Sequence, residues 1–372
     1  MAADRFLVIS GHDYRSKRQA SVHFIAESLA RRGSVRFYSA GFSHLSRMGA
    51  DVRLDLWSRA NKVEKLGGVD CYLERTFVHP FNTAQGWLSP AEEFLFHNYA
   101  ERSRPQLLEW INQADAIILE SGLPLLFAEQ IARVNPAARM IYLASDDLRT
   151  IGCSSYLIDC LRRAAPSFDY AVLPSRQLAA TMPAGLRLSY VPHGFNHDMF
   201  QGRPASPYAD PVNAVSVGSM LFDDKFFKTA CQAFPEVKFH IIGGGRRSQR
   251  VNEPNAIVLP EMPFQDTVAY ILHATVGIAP YDKGDTPYYL SDTSMKLAQY
   301  DYAGLNSICP LFAAGGRPGR FGYEASDPSS IVAAVRAALT TPRVQHDASE
   351  FLSWPDVTER ILSPSLFPDT GM

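Results

Sequence analysis

A turn of small residues that could hold a diphosphate follows a buried strand in the second half of the chain. The apolar run AVSV leads directly into Gly218, Ser219 and Met220. Small residues at this point expose backbone N–H groups at the start of a helix, and such groups bind phosphate oxygens. The turn therefore predicts a diphosphate site, with an ordinary tight turn as the alternative.

A second glycine-rich loop, Gly243-Gly244-Gly245, follows the run FHII and could indicate a dinucleotide site. Such a site requires an acidic residue about twenty positions further on, for the ribose hydroxyls, and a helix that opens at the glycines. Glu261 meets the first requirement only loosely, and Arg246 and Arg247 stand where the helix should open. An NAD site is therefore the weaker hypothesis for this loop.

A lysine and a glutamine lie one helical turn apart in the segment at 278–310. Lys296 falls at the start of a helix predicted from about Ser294, where its charge adds to the positive field of the helix N-terminus. Gln299 falls on the same face, within reach of ribose hydroxyls. The pattern Ser294-x-Lys296-Leu297-x-x-Tyr300-x-x-Ala303-Gly304-Leu305 resembles the nucleotide-sugar signature of GT-B glycosyltransferases. The alternative is an amphipathic helix whose lysine reaches out to solvent.

The elements that must position these residues alternate between short apolar strands and longer helical patterns, which is typical of a mostly parallel sheet. The first half predicts strands at FLVIS, SVRFYSA, AIILES, MIYLAS and YAVLPS, and a helix that ends at Gly33. A linker rich in Pro, Gly and Ser follows at 201–212, and the pattern restarts with AVSVGSM, KFHIIGGG, AIVLPEM, VGIAPY and SICP. We therefore predict two Rossmann-like domains, 1–203 and 204–345, and a surface tail at 346–372.

Composition excludes several classes of protein. The 372 residues are 46% hydrophobic and 20% charged, a balance that supports a large core and excludes disorder as the main state. Lys and Arg number 36 and Asp and Glu 38, and this net charge of −2 argues against a dedicated nucleic-acid binder. The five cysteines lack metal-site spacing, and neither a signal peptide nor a membrane span is recognisable. We expect the chain on the cytoplasmic side, with any membrane contact peripheral.

Nine short motifs are spread over nearly the whole chain. They are HLSRM (44–48), VDCYLERTFVHPFNT (69–83), ESG (120–122), RVNPAA (133–138), ASDDL (144–148), VGSMLFD (217–223), GIAPY (277–281), SMKLAQYD (294–301) and RFGY (320–323). Together they resemble the glucuronosyltransferases of xanthan-type exopolysaccharide assembly, glycosyltransferase family 70. The resemblance implies an α/β protein of the GT-B fold, in which two Rossmann-like domains face each other across a cleft. The first would bind the acceptor at a membrane and the second the UDP-sugar.

The activity that the resemblance implies is transfer of glucuronic acid from UDP-glucuronate to the terminal mannose of a polyprenyl-diphosphate-linked oligosaccharide. The reaction would take place on the cytoplasmic face of the bacterial inner membrane, with inversion at the anomeric carbon. In that family the catalytic base is the aspartate of the ASD motif, which here is Asp146; an inverting transfer needs one such carboxylate to take the acceptor proton. Asp147 stands where the family has glycine and competes for this role, and a helix cap is the structural alternative for Asp146.

The same resemblance implies a donor site without a metal or other cofactor. Lys296 would neutralise the leaving diphosphate, and Met262 with its neighbours would hold the uracil. Asp282 and Asp285 are wrongly spaced for a D-x-D metal motif. The donor-site residues are Met220, Glu261, Met262, Tyr281, Met295, Lys296 and Gln299.

Two further features of the reaction have candidate residues. Arg149, Lys225 and Arg320 are candidates for the carboxylate of the glucuronate. A basic N-terminal segment, with ten Lys and Arg against five Asp and Glu in the first sixty residues, predicts contact with anionic lipid. Nearby apolar residues could insert shallowly, namely Trp87, Phe94, Leu95, Phe96 and Tyr99.

Two other functions fit the predicted fold. A UDP-sugar 2-epimerase would bind UDP in a similar way and turn over without an acceptor. A non-catalytic nucleotide-sugar-binding partner of a polysaccharide assembly complex would not need Asp146. We favour the transferase because the base-bearing and donor-binding motifs occur together.

Overall fold

The structure is a computed structural model that describes residues 4–17, 19–48, 51–82, 89–202, 204–282 and 288–367. The chain forms two compact units. Unit 1 consists of Met1–Gly194 and Trp354–Met372, and unit 2 consists of Phe195–Ser353. Within the described ranges, no helix combines the length and apolar character that a membrane crossing requires.

Unit 1 is built on a sheet that has eight strands in the described residues, in the order β3-β4-β2-β1-β5-β6-β7-β8. All of its pairings are parallel except that of β3 with β4. The central strands are continuous apolar runs because helices cover both faces of a parallel sheet. The strands are β1 (Arg5–Ser10), β2 (Ser34–Ser43), β3 (Val63–Leu66), β4 (Val69–Thr76), β5 (Ala116–Glu120), β6 (Arg139–Leu143), β7 (Tyr170–Leu173) and β8 (Leu188–Tyr190).

The helices of unit 1 begin and end where local chemistry permits. The Ser154 hydroxyl, for example, accepts the Tyr156 N–H and caps one helix, and Pro105 occupies the first turn of another, where its missing N–H costs nothing. The helices are α1 (Ser21–Ala30), α2 (Ser89–Glu101), α3 (Pro105–Gln113), α4 (Ala128–Val134), α5 (Ser155–Ala164) and, from the end of the chain, α13 (Trp354–Leu362).

Unit 2 contains a six-stranded parallel sheet within its described residues, in the order β11-β10-β9-β12-β13-β14. Its strands are β9 (Asn213–Val217), β10 (Lys238–Ile242), β11 (Ala256–Leu259), β12 (Val276–Ile278), β13 (Ser307–Pro310) and β14 (Arg320–Tyr323). Its helices are α6 (Asp224–Ala233), α7 (Gly245–Ser248), α8 (Phe264–His273), α9 (Leu290–Thr293), α10 (Met295–Tyr302), α11 (Leu311–Ala314) and α12 (Pro328–Thr340).

All of the strands predicted from apolar runs are present, so the prediction of an α/β protein with two Rossmann-like units is confirmed. The hairpin of β3 and β4 and the strands β8 and β14 were not predicted. In β4, Val69, Cys71 and Leu73 are buried, but charged residues alternate with them in the sequence VDCYLERT. Such a short charged segment gives a weak periodic signal, and pairing with β2 supplies the rest of its stability.

The boundary between the units lies at Gly194, nine residues before the predicted boundary at residue 203. Phe195 and Phe200 belong to the core of unit 2, and the Phe195 N–H donates to the Leu352 carbonyl. The predicted tail at 346–372 is likewise divided, because residues from Trp354 onward join unit 1. Apolar packing, rather than the composition of the linker, therefore sets where each unit ends.

Helix α13 is held in unit 1 by one buried indole. The Trp354 ring stacks on Phe24 of α1 with ring centroids 4.9 Å apart, and it packs directly against Gly194. A Cβ at Gly194 would lie 2.4 Å from the indole, so only glycine allows this approach.

Replacing Trp354 with alanine should lower the free energy of unfolding of unit 1 by about 3–5 kcal/mol, since it removes a buried aromatic and leaves a cavity. Urea unfolding followed by circular dichroism measures the loss. The matched control is Phe77→Ala, which truncates a side chain that is 77% exposed. Equal stability of the Trp354 variant and the parent would show that α13 does not help to hold unit 1 together.

Candidate functional site

The strand order reverses between β1 and β5, and polar residues of unit 1 gather at the ends of these strands. The Ser10 hydroxyl ends β1 and donates a hydrogen bond to Glu120 Oε2 at the end of β5. The same Ser10 Oγ accepts the N–H of His12 at 2.8 Å. Loops at such a reversal point are where doubly wound sheets bind ligands. The Gly11-His12 loop and the carboxyl of Glu120 are therefore fixed at a ligand-binding position.

Glu120 is a buried carboxyl that the sequence did not single out as a functional residue. Burial raises its pKa to about 7, and the negative charge of Asp146 acts in the same direction, against the Ser10 hydrogen bond. The available signal was a carboxylate at the end of a fully apolar strand, AIILE, where its charge is costly to bury. Perturbed carboxyls of this kind occur frequently at functional sites.

Asp146 and Asp147 follow β6 and have different surroundings. The Asp147 side chain is only 5% exposed, and its Oδ1 accepts the Arg149 N–H at 3.0 Å, which closes the turn that follows. The capping role considered for Asp146 is thus carried by Asp147. Asp146 is half-buried, and its backbone N–H donates to the Ser121 hydroxyl at 3.3 Å. Of the two, Asp146 has the more accessible side chain, and it lies close enough to His12 and Glu120 to affect the pKa of both.

An internal arginine holds the loop that carries His12. Arg53 donates to the carbonyl of Gly11 at 2.6 Å and to that of Gly41 at 2.8 Å, and it forms an ion pair with Asp51. Desolvation by neighbouring protein, and then the positive charge of Arg53, lower the pKa of the His12 imidazole, although its side chain reaches solvent. A neutral imidazole and two carboxyls therefore lie together at this edge of the sheet.

The basic N-terminal face predicted from the sequence is largely neutralised. Arg15 and Arg53 are buried, and carboxylates from outside the first sixty residues supply several of the ion pairs that sequence counting missed. The pairs are Arg5–Asp115, Arg15–Asp13, Arg15–Glu64, Arg31–Glu27, Arg32–Glu359, Arg53–Asp51 and Arg59–Glu64. The excess of positive charge in this segment is therefore no guide to a lipid-binding surface.

The apolar residues predicted to insert into a membrane also differ in their exposure. Phe94 is 67% exposed, whereas Phe96 and Tyr99 are buried on the inner side of α2. Leu95 is half-buried, and Trp87 lies outside the described residues. Only Phe94 among the described members of this set presents most of its side chain to solvent, because the others fill the core beneath the helix.

In unit 2 the strand order reverses between β9 and β12, and the predicted phosphate turn lies there. Gly218 has a φ of 88° and donates its N–H to the Ile242 carbonyl at 2.8 Å, while Leu221 has a φ of 51°. These left-handed residues turn the chain sharply after β9. Phe222 then pairs with Tyr281 in an antiparallel bridge, so the turn is fastened to the segment that follows β12.

Lys296 is the most unusual side chain of this unit. Its Nζ is shielded from solvent and has no hydrogen-bond partner among the described residues. The ring of Tyr281 faces it, with 5.4 Å between Nζ and the ring centroid, and burial lowers the lysine pKa to about 7. A lysine that reaches out to solvent would not lose its hydration in this way, so that alternative is wrong. A buried amino group without an anion is prepared to receive one.

The first turn of α10 is organised around Ser294. Its hydroxyl accepts the Leu297 N–H at 3.1 Å and shares a hydrogen bond with the buried Tyr281 hydroxyl. Tyr281 and Leu297 lie in one apolar core, against which Met262 packs. Tyr281, Met262 and α10 with Lys296 are thus brought together.

The other predicted donor residues are placed at the surrounding strand and helix ends. Met220, in the turn after β9, and Glu261, after β11, are exposed, and Met295 and Gln299 of α10 are half-buried. A Cβ at Gly243 would lie 3.3 Å from the Glu261 Cα, so the loops after β10 and β11 touch. Whether all of these residues contact one ligand stays a prediction.

One candidate for the glucuronate carboxylate is wrong. Arg320 is buried and donates to the Asp301 carboxylate at 2.5 Å and to the Ser291 carbonyl at 2.6 Å, so its guanidinium is committed to the core. Arg149 and Lys225 are exposed.

A search for a metal centre finds no group of three or more His, Cys, Asp or Glu side chains placed to share an ion within the described parts of the chain. Asp285 lies outside those parts. The cations of the donor region that the structure describes are therefore side chains.

Replacing Lys296 with methionine should raise the free energy of unfolding by on the order of 1–3 kcal/mol at pH 6, because it removes a buried amino group that lacks a partner. Burial holds the folded-state pKa near 7, below the ordinary 10.5, so the penalty is complete below pH 7 and shrinks as the pH rises toward about 10. Denaturant unfolding of both proteins at pH 6 and pH 9 measures this, with Lys225→Met as an exposed control. A less stable methionine variant at pH 6 would contradict the assignment.

Comparisons with known proteins agree with this arrangement. Residues 8–174 match the family model of the glucuronosyltransferase GumK, N-terminal domain. The chain is 46% identical over 367 residues to a UDP-glucuronate:glycolipid 2-beta-glucuronosyltransferase of Xanthomonas campestris pv. campestris, covering 99% of the chain and 91% of that relative.

Solved structures of low sequence identity show the same fold. Anabaena Alr3699/HepE in complex with UDP and glucose aligns with a TM-score of 0.63 at 13% identity, over 98% of the chain and 99% of that structure. The E. coli trehalose-6-phosphate structure bound with UDP-2-fluoro glucose aligns with a TM-score of 0.61 at 11% identity, over 97% and 96%. The expected GT-B fold is confirmed. With nearly half of its residues identical to a full-length relative, the chain belongs to the GumK family of glucuronosyltransferases.

Proposed function

We propose that this chain transfers glucuronic acid from UDP-glucuronate to the terminal mannose of a polyprenyl-diphosphate-linked oligosaccharide in exopolysaccharide biosynthesis. The observation that carries the proposal is the buried, unpartnered Lys296 at the start of α10, in a chain 46% identical to a glycolipid glucuronosyltransferase. A diphosphate is the anion that this chemistry places beside such a lysine.

The donor end of the reaction uses Lys296 to stabilise the departing UDP. As the bond between the anomeric carbon and the diphosphate oxygen breaks, negative charge develops on that oxygen. A protonated Lys296 and the N-terminal field of α10 neutralise this charge. A bound diphosphate raises the Lys296 pKa from about 7, so binding takes up a proton. These cations make a metal unnecessary.

The acceptor end uses Asp146 as general base. A mannose hydroxyl attacks the anomeric carbon from the face opposite UDP, forms the new glycosidic bond and gives its proton to the Asp146 carboxylate. Glu120 acts on Asp146 through its charge: when ionised, it raises the affinity of Asp146 for the proton. Asp147 stays outside the chemistry because it holds the turn at Arg149.

An exposed apolar surface of unit 1 would meet the membrane that carries the lipid acceptor, on the cytoplasmic face of the inner membrane. Met48 is 85% exposed and Phe77 77% exposed, and the Phe77 ring lies 5.6 Å from that of His44, four residues before Met48. The Asn82 amide donates to the Gly152 carbonyl at 2.9 Å, which ties this surface to the turn that follows Asp146. Apolar rings and methionines at such a place favour shallow insertion.

Purified protein should release UDP from UDP-glucuronate only when a synthetic mannose-terminated lipid acceptor is present, and EDTA should not reduce the rate. Asp146→Asn should lower kcat at least 100-fold without weakening UDP binding, because it removes the base alone. Asp147→Asn, its neighbour, should retain far more activity. UDP release and calorimetric UDP affinity are the two measurements.

Other outcomes of this assay separate the alternatives. Conversion of a UDP-sugar without acceptor would indicate the epimerase. UDP-sugar binding without turnover by parent or variants, with active acceptor present, would favour the binding partner. Full activity of Asp146→Asn would show that the base lies elsewhere.

Vesicle binding should depend on the exposed apolar residues of unit 1. The double variant Phe77→Ser and Phe94→Ser should lose most of its flotation with phosphatidylglycerol-containing vesicles, because two exposed aromatic anchors are removed. The control is Val63→Ser with Leu66→Ser, which changes two exposed apolar residues of the edge strand β3. Equal loss in both pairs, or none in the first, would argue against this surface.

A further inference from the structure

Unit 2 contains a cavity of about 480 Å³ at the ends of β9 and β10 that none of the predicted donor residues lines. Its walls come from the turn after β9, the glycine-rich loop after β10 and the residue after Tyr281. The lining residues are Ser219, Leu221, Phe222, Gly244, Gly245, Arg246, Arg247 and Asp282.

The cavity adjoins the place where Lys296 would hold the diphosphate. Phe222 of its wall pairs with Tyr281, and the Asp282 N–H donates to the Leu221 carbonyl at 2.7 Å. The Tyr281 ring in turn faces the Lys296 Nζ at 5.4 Å. A UDP-sugar whose diphosphate lies beside Lys296 therefore has this cavity within reach of its sugar.

The two arginines of the lining differ in their commitments. Arg247 donates to Asp282 Oδ2 at 2.6 Å and to the Phe222 carbonyl at 3.1 Å. Arg246 is exposed and makes no hydrogen bond or ion pair in the part of the chain that the structure describes. Since Arg247 and Asp282 balance each other, the lining has one net positive charge, and it belongs to Arg246.

The glycines explain how a ligand could approach this charge. Gly245 has a φ of 70°, and a Cβ there would lie 3.1 Å from the Ser219 Cβ. The loop after β10 thus packs closely on the turn after β9, which places Arg246 on the cavity. A planar guanidinium recognises a carboxylate through two parallel hydrogen bonds.

We infer that this cavity receives the sugar of the donor and that Arg246 pairs with the carboxylate of the glucuronate. The inference rests on the proposed function and assigns the residue that distinguishes glucuronate from the neutral glucose. It replaces Arg320, whose guanidinium is committed to Asp301.

The test compares the affinities of UDP and UDP-glucuronate by calorimetry for the parent and for Arg246→Gln. The variant should bind UDP within twofold of the parent and UDP-glucuronate at least tenfold more weakly, because only the sugar carboxylate loses its partner. Its kcat/KM ratio for UDP-glucuronate over UDP-glucose should fall by the same factor. Arg250→Gln, an exposed change just beyond α7, is the matched control, and Arg246→Lys should retain part of the preference.

Two results would overturn the assignment. Equal weakening of UDP and UDP-glucuronate would place Arg246 at the diphosphate, and unchanged binding of both would place the carboxylate elsewhere. The binding comparison needs no acceptor, so it stands even if the transfer assay fails. Parent protein that binds UDP-glucuronate no better than UDP-glucose would instead contradict the glucuronosyl part of the proposed function.

Discussion

Parallel strands need crossover connections, and a sheet whose crossovers run both ways leaves two neighbouring strand ends without a connection packed over them. In unit 1 this occurs between β1 and β5, and in unit 2 between β9 and β12. Ser10, Glu120 and Asp146 lie at the first reversal or beside it, and the turn after Gly218 and the Tyr281 segment lie at the second. The placement of the polar groups follows from this constraint, because elsewhere the strands are covered and apolar.

Burial gives the two units complementary electrostatic properties. In unit 1 it raises the pKa of a carboxyl, Glu120, to about 7 beside a second carboxyl, Asp146. In unit 2 it lowers the pKa of an amino group, Lys296, also to about 7. Each arrangement costs stability in the absence of a ligand, and such costs are typical of sites that bind or move charge. A proton-accepting carboxyl and a diphosphate-binding lysine are the two functions that an inverting sugar transfer requires.

Particular residues show how far the sequence could be interpreted. Lys296 and Tyr281 were recognised from a motif, and their neighbourhood in space agrees with it. The roles of Asp146 and Asp147 could not be separated, because which of two adjacent carboxylates closes a turn depends on the backbone that follows. Glu120 was not identified as functional, since its pKa arises from Ser10 and Asp146, which are 110 and 26 positions away. The N-terminal arginines were counted as a basic face, whereas carboxylates far along the chain neutralise many of them.

The sequence by itself determined the class of fold, the strands and most of their ends, and the family, because apolar periodicity and local motifs are properties of neighbouring residues. The tertiary structure decided where the units divide, which charges are paired and which are buried, and that a cavity with Arg246 adjoins Tyr281. These properties depend on residues that folding brings together from distant positions. Desolvation and ion pairing act through space, so no local pattern could have shown that Arg320 is committed and Arg246 is not.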